Sequence, residues 1–231
     1  MSNEVLWFLL YLASFTAMLV GYKYLGKPIL FGWIAMAMVI ANIQVTVTVG
    51  LFGMVSTLGN IVYGSTFLAT DILSEKYGKK EARRAVWLGF FTTVSVIALM
   101  KISMSFIAHE SDFMMPHIQA LFDFYPRIVG ASLAAYLFSQ LYDTWAYQAI
   151  RKVFPKHLWL RNNGSTLISQ LMDTAIFTGL AFYGVFPLEI VLAIGFSTYV
   201  LKAVVSILDT PFLYLATLIR KDENYYDEKC R

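Results

Sequence analysis

The sequence predicts an all-α membrane protein, a polytopic bundle of seven transmembrane helices. Of its 231 residues, 58% are hydrophobic and only 14% are charged, against about 45–50% and about 25% in an ordinary soluble domain. The apolar residues fall in blocks long enough for a helix to cross roughly 30 Å of hydrocarbon. Runs such as residues 86–100 do not alternate in polarity, as the strands of a membrane barrel would. The composition therefore excludes a water-soluble globule.

The predicted spans follow one another with short connections. We expect the first to be retained, because the N-terminus carries Glu4 and lacks both a basic region and a small-residue cleavage pattern. The last is longer than a bilayer requires, and Pro211 removes a backbone donor there, which predicts a kink. The seven spans cover residues 5–22, 28–49, 56–74, 85–108, 127–150, 165–184 and 188–219.

Basic residues alternate between the connections and predict the orientation. All of the 18 Lys and Arg except Lys101, Arg127 and Lys202 fall in the first, third and fifth connections and the C-terminal tail. Cytoplasmic loops carry such an excess of positive charge. The N-terminus is therefore predicted outside and the C-terminus in the cytoplasm, as in a multi-pass protein of the inner or plasma membrane.

Nothing in the composition points to a metal, a cofactor or a nucleic acid. Cys230 is the single cysteine, so the chain cannot build a disulfide framework or a cysteine-based metal site. His109, His117 and His157 fall in connections at no ligand spacing. The basic residues lie between hydrophobic blocks and not along one face, so the net charge of +3 does not indicate a nucleic-acid surface.

A repeated hexapeptide is the strongest signal among the polar residues of the spans. Residues 139–144, Ser-Gln-Leu-Tyr-Asp-Thr, recur as Ser-Gln-Leu-Met-Asp-Thr at 169–174. In each copy the amide and the carboxylate are three residues apart, so they share one face of a helix. An ionisable residue inside a span costs about 2.5–3.5 kcal/mol on insertion scales, which marks it as part of a functional site or of a buried pair.

Three carboxylates are predicted to converge in the cytoplasmic half of the bundle. Counted from the predicted span ends at 1.5 Å per residue, Asp143, Asp173 and Asp209 lie roughly 10, 13 and 16 Å into the membrane. Carboxylates and amides together suit a flat polar heterocycle that presents N–H donors beside a carbonyl, as guanine does. The candidate substrate-binding residues are Gln140, Asp143, Gln170, Asp173, Asp209, Asn60 and Lys202.

Structural roles compete with this interpretation. Interhelical hydrogen bonds would explain the two glutamines. Asp143 and Asp173 would pair with Lys101 or Lys202 in a structural role. The residue count places both lysines in the outer half of the membrane, which argues against direct pairing. Asp71 and Glu75 lie near the predicted cytoplasmic surface, where a salt-bridged helix end is at least as well supported as a site. For Asn42 and Asn60 the two roles are evenly balanced.

Further motifs extend the pattern over residues 35–220. They are Thr-Leu-Gly-Asn-Ile-Val-Tyr-Gly at 57–64, Phe-Leu-Ala-Thr-Asp-Ile-Leu at 67–73, Tyr-Gly-Lys-Lys-Glu-Ala-Arg at 77–83, Arg127 with Ser132, the doubled Ser-Gln-x-x-Asp, Trp-Leu-Arg-Asn-Asn at 159–163, and Lys202 with Asp-Thr-Pro-Phe at 209–212. This combination resembles the signature of the queuosine-precursor transporters, also called the vitamin uptake transporter family.

The resemblance implies a six-helix core similar in fold to the substrate-binding components of energy-coupling-factor vitamin transporters. It also implies import of 7-cyano-7-deazaguanine or 7-aminomethyl-7-deazaguanine for queuosine synthesis in tRNA, and both ligands carry the guanine edge that buried acids suit. This chain departs from the family by one extra N-terminal helix. The predicted division is therefore an extra helix with its connection at 1–27, the six-helix transporter core at 28–220 and a polar cytoplasmic tail at 221–231.

The leading functional hypothesis is a non-enzymatic transporter that holds the deazaguanine between its spans and releases it by helix rocking, with protonation of a buried aspartate as the coupling step. A vitamin-binding component of an ATP-driven transporter is the alternative, since the chain has no nucleotide-binding loop. An intramembrane aspartyl protease is a remote third, because Leu171 and Met172 precede Asp173 where a Gly-x-Gly-Asp motif is needed. The lipid bilayer is a certain partner, whereas a homo-oligomer and an energy-coupling module remain open.

Overall fold

The structure, a computed structural model, describes residues 1–122 and 126–219. It is a bundle of long helices joined by short connections, so the predicted all-α membrane class is confirmed. The predicted tail at 221–231 lies outside the described residues. The helices are α1 (Asn3–Leu25), α2 (Lys27–Gln44), α3 (Asn60–Lys76), α4 (Lys79–Ser103), α5 (Met115–Phe122), α6 (Pro126–Val153), α7 (Leu158–Phe182) and α8 (Leu188–Leu218).

Helices α1, α2, α4 and α8 are long and apolar enough to cross a membrane. Helices α3, α6 and α7 carry more polar side chains and bury many of them inside the bundle. Helix α3 is central, since it is buried along nearly its whole length and packs against α1, α2, α4, α6 and α8. The seven long helices follow the order of the predicted spans, while the number that cross the membrane and their orientation stay predictions.

The second predicted span, 28–49, is too long. Helix α2 ends at Gln44, and the chain then forms an antiparallel hairpin of β1 (Thr48–Leu51) and β2 (Met54–Thr57). Every residue from 45 to 49 is β-branched, which restricts its side chain in a helix and suits a strand. Phe52 and Gly53, with φ of 51° and 75°, form the tight turn that such a hairpin needs.

Other helix ends also differ from the predicted spans, because hydropathy finds the apolar part of a helix and not its whole length. Helices α4 and α7 begin at Lys79 and Leu158, well before the predicted 85 and 165, because their polar first turns are helical too. The predicted connection at 109–126 contains the short helix α5.

The bundle has two chemically different ends. At the hairpin end, the Asn3 amide at the start of α1 donates to the Gly50 carbonyl at 3.0 Å. At the opposite, basic end, Glu75 accepts two hydrogen bonds from Arg161, at 2.6 and 3.0 Å, and one from the Tyr147 hydroxyl at 2.9 Å. The predicted salt-bridged helix end is therefore correct for Glu75.

Gly89 marks a close approach between α4 and its neighbours. A Cβ atom there would lie 2.3 Å from the Tyr136 hydroxyl and 2.9 Å from Cγ2 of Ile34. Since both neighbours are fully buried, we expect Gly89→Ala to destabilise the bundle by about 1–3 kcal/mol through overpacking. Thermal unfolding of the purified protein in detergent measures this. Gly179→Ala is the matched control, because nothing lies within 4 Å of its Cβ, and equal melting temperatures for the two variants would contradict the prediction.

Candidate functional site

A cavity of about 330 Å³ lies in the hairpin half of the bundle, between α2, α3, α6, α7 and α8. Its volume falls in the range of small-molecule sites, roughly 300–1,000 Å³. Its wall is mostly apolar, with a few polar side chains, and it reaches the hairpin at Thr46 and Thr57. The polar side chains that matter below are Asn42, Asn60, Tyr63, Ser132, Asp173 and Lys202.

Asp173 of α7 is the most heavily bonded group of this cavity. Its carboxylate forms a buried ion pair with Lys202 of α8 and accepts hydrogen bonds from the Tyr63 hydroxyl at 2.6 Å and the Ser139 hydroxyl at 3.1 Å. The Lys202 ammonium also lies 4.8 Å from the centre of the Tyr63 ring. A buried charge is stable only when it is paired and hydrogen-bonded. These four residues, Tyr63, Ser139, Asp173 and Lys202, form what we call the cavity layer.

The Asp173–Lys202 pair considered as a structural role is formed, and the depth count that argued against it is wrong. It rested on a span that began at 165, whereas α7 begins at Leu158. Counted from that residue, Asp173 lies roughly 23 Å along α7, and Lys202, counted back from Leu218, lies roughly 24 Å along α8. The two charges are therefore level, and Asp173 is not at the depth of Asp143.

The two copies of the hexapeptide hydrogen-bond to each other across α6 and α7. Ser139 of the first copy donates to Asp173 of the second at 3.1 Å, and Ser169 of the second donates to Asp143 of the first at 2.9 Å. Each serine thus serves the aspartate of the other copy, because the two helices run in opposite directions.

A second layer of buried carboxyls lies toward the basic end and does not line the cavity. It consists of Asp71, Asp143 and Asp209, and we call it the acid layer. Asp209 accepts a hydrogen bond from the Asn162 amide at 2.7 Å, and Asp71 accepts one from the Thr166 hydroxyl at 3.4 Å. Of the three carboxylates predicted to converge, Asp143 and Asp209 lie in this layer, whereas the prediction is wrong for Asp173, which lies in the cavity layer. Asp71 joins Asp143 and Asp209 in full burial, so its interpretation as a solvated helix end is wrong.

The two layers are about 11 Å apart along α3 and α8, and about 6 Å apart along α6, where Ser139 and Asp143 are one turn apart. Tyr63 and Asp71 are two turns apart on α3, and Lys202 and Asp209 are nearly two turns apart on α8.

Of the remaining candidates, Asn60 lines the cavity and the two glutamines do not. The Asn60 amide donates to the Ser56 hydroxyl at 3.2 Å and to the Thr57 carbonyl at 3.3 Å. Gln140 donates to Thr66 and accepts from Thr70, both at 3.1 Å, so it joins α6 to α3. Gln170 is buried, and its amide oxygen has no hydrogen-bond partner.

Several lining residues escaped the sequence analysis of the site. Tyr63 is the most important of them. A tyrosine in a polar span could have indicated a site residue, because a buried tyrosine hydroxyl needs a hydrogen-bond partner. Asn42, for which the sequence left a site role and a structural role evenly balanced, lines the cavity. Its neighbour Ser132 donates to it at 3.5 Å. Phe177 and Phe182, whose ring centres are 5.6 Å apart, supply an aromatic wall that nothing in the sequence distinguishes from lipid-facing residues.

Arg127 fixes the hairpin end of α7. Its guanidinium donates to the carbonyls of Leu180 and Tyr183, both at 2.5 Å. These carbonyls belong to the last turn of α7 and the residue after it, where helix carbonyls lack partners. Arg127 thus ties the start of α6 to the end of α7 beside the cavity.

Comparison with known proteins gives a consistent set of relatives. A family model described as "Putative vitamin uptake transporter" matches residues 57–216. A Bacillus subtilis (strain 168) protein named "Probable queuosine precursor transporter" is 46% identical over 226 residues, which cover 96% of this chain and 99% of that one. A Haemophilus influenzae protein of the same name is 29% identical over 68% of this chain and 66% of its own. The Escherichia coli (strain K12) "Queuosine precursor transporter" is 27% identical over 72% and 75%. No solved structure shows a significant match.

Proposed function

Because this chain belongs to the vitamin uptake transporter family, we propose that it is a multi-pass membrane transporter that imports a queuosine precursor, a 7-deazaguanine. The seven long helices are the spans, with the polar α3, α6 and α7 shielded by the apolar α1, α2, α4 and α8. The basic end faces the cytoplasm, as the positive charge of its connections favours. The cavity of the hairpin half then faces the outside and receives the substrate.

The observation that supports this proposal is the buried Asp173–Lys202 pair in the wall of a cavity of the right size. A guanine-type edge presents two N–H donors beside a carbonyl. The Asp173 carboxylate can accept both donors, while the Lys202 ammonium turns from the carboxylate to the ligand carbonyl. Ligand binding then exchanges one set of buried hydrogen bonds for another and leaves neither charge without a hydrogen-bond partner.

The rest of the cavity supplies shape and selectivity. Phe177 and Phe182 can pack against the faces of the heterocycle, and Asn42 and Asn60 can bond its outer edge. An analogue that lacks the N–H donors would leave Asp173 buried without them, which a closed site rejects strongly. In this proposal the candidates Gln140, Asp143, Gln170 and Asp209 support or couple the site and do not touch the substrate.

Release to the cytoplasm requires the basic end to open. The Glu75–Arg161–Tyr147 cluster holds α3, α6 and α7 together there. Rocking of helices about a fixed site is the usual route by which a transporter exposes it alternately to the two sides. The reciprocal serine–aspartate bonds let α6 and α7 move as one unit, because each helix holds a carboxylate of the other.

Uptake of radiolabelled 7-deazaguanine by liposomes that hold the purified protein alone tests the function. We expect saturable uptake without ATP or any other protein. Uptake that appears only after an ATP-driven module is added would instead support the vitamin-binding-component alternative. If the purified protein neither takes up nor binds 7-deazaguanine, the proposed function is wrong.

Filling the cavity should block the same uptake. Thr198 lines the cavity on α8, so Thr198→Trp is expected to reduce substrate affinity at least about 100-fold by occupying the space that the ligand needs. Phe196→Trp on the same helix is the control, because Phe196 is 69% exposed on the outside of the bundle. Binding titrations on both purified variants measure the effect, and equal affinities would place the substrate elsewhere.

A further inference from the structure

The acid layer contains two carboxyls that face the same turn of α7. Asp71 of α3 and Asp143 of α6 are both fully buried, and they accept hydrogen bonds from Thr166 at 3.4 Å and from Ser169 at 2.9 Å, whose positions are three residues apart on that helix. Among residues 1–122 and 126–219, no ion pair involves either carboxyl. Oδ1 of Asp71 and Oδ2 of Asp143 also have no donor. Two ionised carboxylates that face one helix turn repel each other strongly inside a protein, and one shared proton removes the repulsion and supplies the missing donor.

Asn162 provides a second, independent indication that a donor is needed. Its side chain is fully buried, and its amide nitrogen donates to Asp209 at 2.7 Å and to Thr210 at 3.2 Å. These two bonds fix the orientation of the amide, because the nitrogen must face the two acceptors. The amide oxygen is left buried without any donor. In and beside the acid layer, three buried oxygens therefore lack a donor among the described residues, one each on α3 (Asp71), α6 (Asp143) and α7 (Asn162).

A proton satisfies these buried oxygens better than a metal ion does. A hard cation needs several oxygen ligands arranged around one point. In the part of the chain that the structure describes, no group of three or more carboxylate, imidazole or thiolate side chains is arranged to hold one. A proton needs only two oxygens, and the buried oxygens of Asp71 and Asp143 that lack a donor offer them.

The ionisable groups around the acid layer do not neutralise it. From α7, Arg161 faces the basic end but gives its hydrogen bonds to Glu75 and a carbonyl. From α6, Tyr147 also donates to Glu75, and from α1 the Tyr11 hydroxyl donates to the Leu208 carbonyl. The remaining neighbour from α8 is Asp209, which adds negative charge and raises the demand for a proton.

We propose that the Asp71–Asp143 pair, with Asp209 beside it, binds the proton that drives substrate uptake, which makes this protein a proton symporter. This inference rests on the proposed function. One proton binds to the pair while the cavity is open to the outside and leaves to cytoplasmic water after the basic end opens. Two hydrogen bonds link Asp143 to the substrate site. Ser169 donates to Asp143, and Ser139, which belongs to the same hexapeptide as Asp143, donates to Asp173 in the cavity wall.

Proteoliposomes with an imposed pH gradient test the proposal directly. With an acidic exterior and the membrane potential clamped, we expect the wild type to accumulate radiolabelled 7-deazaguanine at least tenfold over the level without a gradient. Asp71→Asn should exchange internal for external substrate at the normal rate and lose this accumulation. Glu110→Gln, an exposed acid in the connection after α4, is the control and should behave as the wild type.

Three results would overturn the proposal. They are full accumulation by Asp71→Asn, accumulation by the wild type that needs a sodium gradient instead of a pH gradient, and the absence of a protonated carboxyl band from the infrared spectrum of the wild type at neutral pH. That band should disappear in both Asp71→Asn and Asp143→Asn. If the wild type moves no substrate at all, the proposed function fails, while the infrared band still decides whether the pair carries a proton.

Discussion

Asp173→Asn is expected to abolish uptake of the queuosine precursor, and to lower stability because it leaves the Lys202 ammonium buried without its carboxylate. The amide oxygen of the asparagine can still accept the hydrogen bonds of Tyr63 and Ser139, so the contacts of α7 with α3 and α6 are kept. The carboxylate that accepts the two N–H donors of the substrate is lost. Hydrogen bonds to charged groups contribute about 1.5–3 kcal/mol each, so we expect the affinity to fall about 100-fold or more.

The control for this variant is Glu189→Gln, which makes the same chemical change at an exposed position on α8. An analogue of the substrate without its exocyclic amino group separates recognition from folding. The wild type should prefer the amino-bearing ligand strongly, and Asp173→Asn should lose most of this preference. Normal affinity and unchanged preference in Asp173→Asn would remove Asp173 from the binding site.

Lys202→Met is expected to have the second largest effect, on stability as well as on uptake. It leaves the Asp173 carboxylate buried without its cation, since both side chains are less than 10% exposed. Breaking a buried pair from one side costs about 3–5 kcal/mol. We therefore expect a markedly lower melting temperature in detergent and no measurable uptake.

The double variant Asp173→Asn with Lys202→Met distinguishes a coupled pair from two independent residues. Removing both charges takes away the unpaired carboxylate, so most of the lost stability should return while uptake stays absent. Effects on the melting temperature that simply add would show that the two charges are not coupled.

The helical part of the fold was predictable because lipid imposes a simple rule on the sequence. Backbone groups in hydrocarbon must bond internally, so apolar blocks of sufficient length become helices. The rule does not cover polar turns, and it missed the helical starts of α4 at Lys79 and α7 at Leu158. It also missed the hairpin after Gln44, where β-branched side chains outweigh apolarity.

The candidate site was predictable in its chemistry but less so in its geometry. The cost of burying a charge correctly singled out Asp173 and Lys202 as members of a functional site or a buried pair. Their pairing was one of the alternatives, but the depth count argued against it because a predicted helix start at 165 shifted Asp173 toward the basic end. In each repeat the serine donates a hydrogen bond to the aspartate of the other repeat. This arrangement depends on how α6 and α7 align, which the spacing of residues within one helix cannot reveal.

The central claim is that the guanine-type edge of the substrate binds the Asp173 carboxylate in the cavity of the hairpin half. The most direct test is an experimental structure of the purified protein with a bound 7-deazaguanine. The account predicts that the N–H groups of the ligand lie within hydrogen-bonding distance of Asp173 and that its carbonyl faces Lys202. A ligand seated elsewhere, with the Asp173–Lys202 ion pair intact, would contradict it.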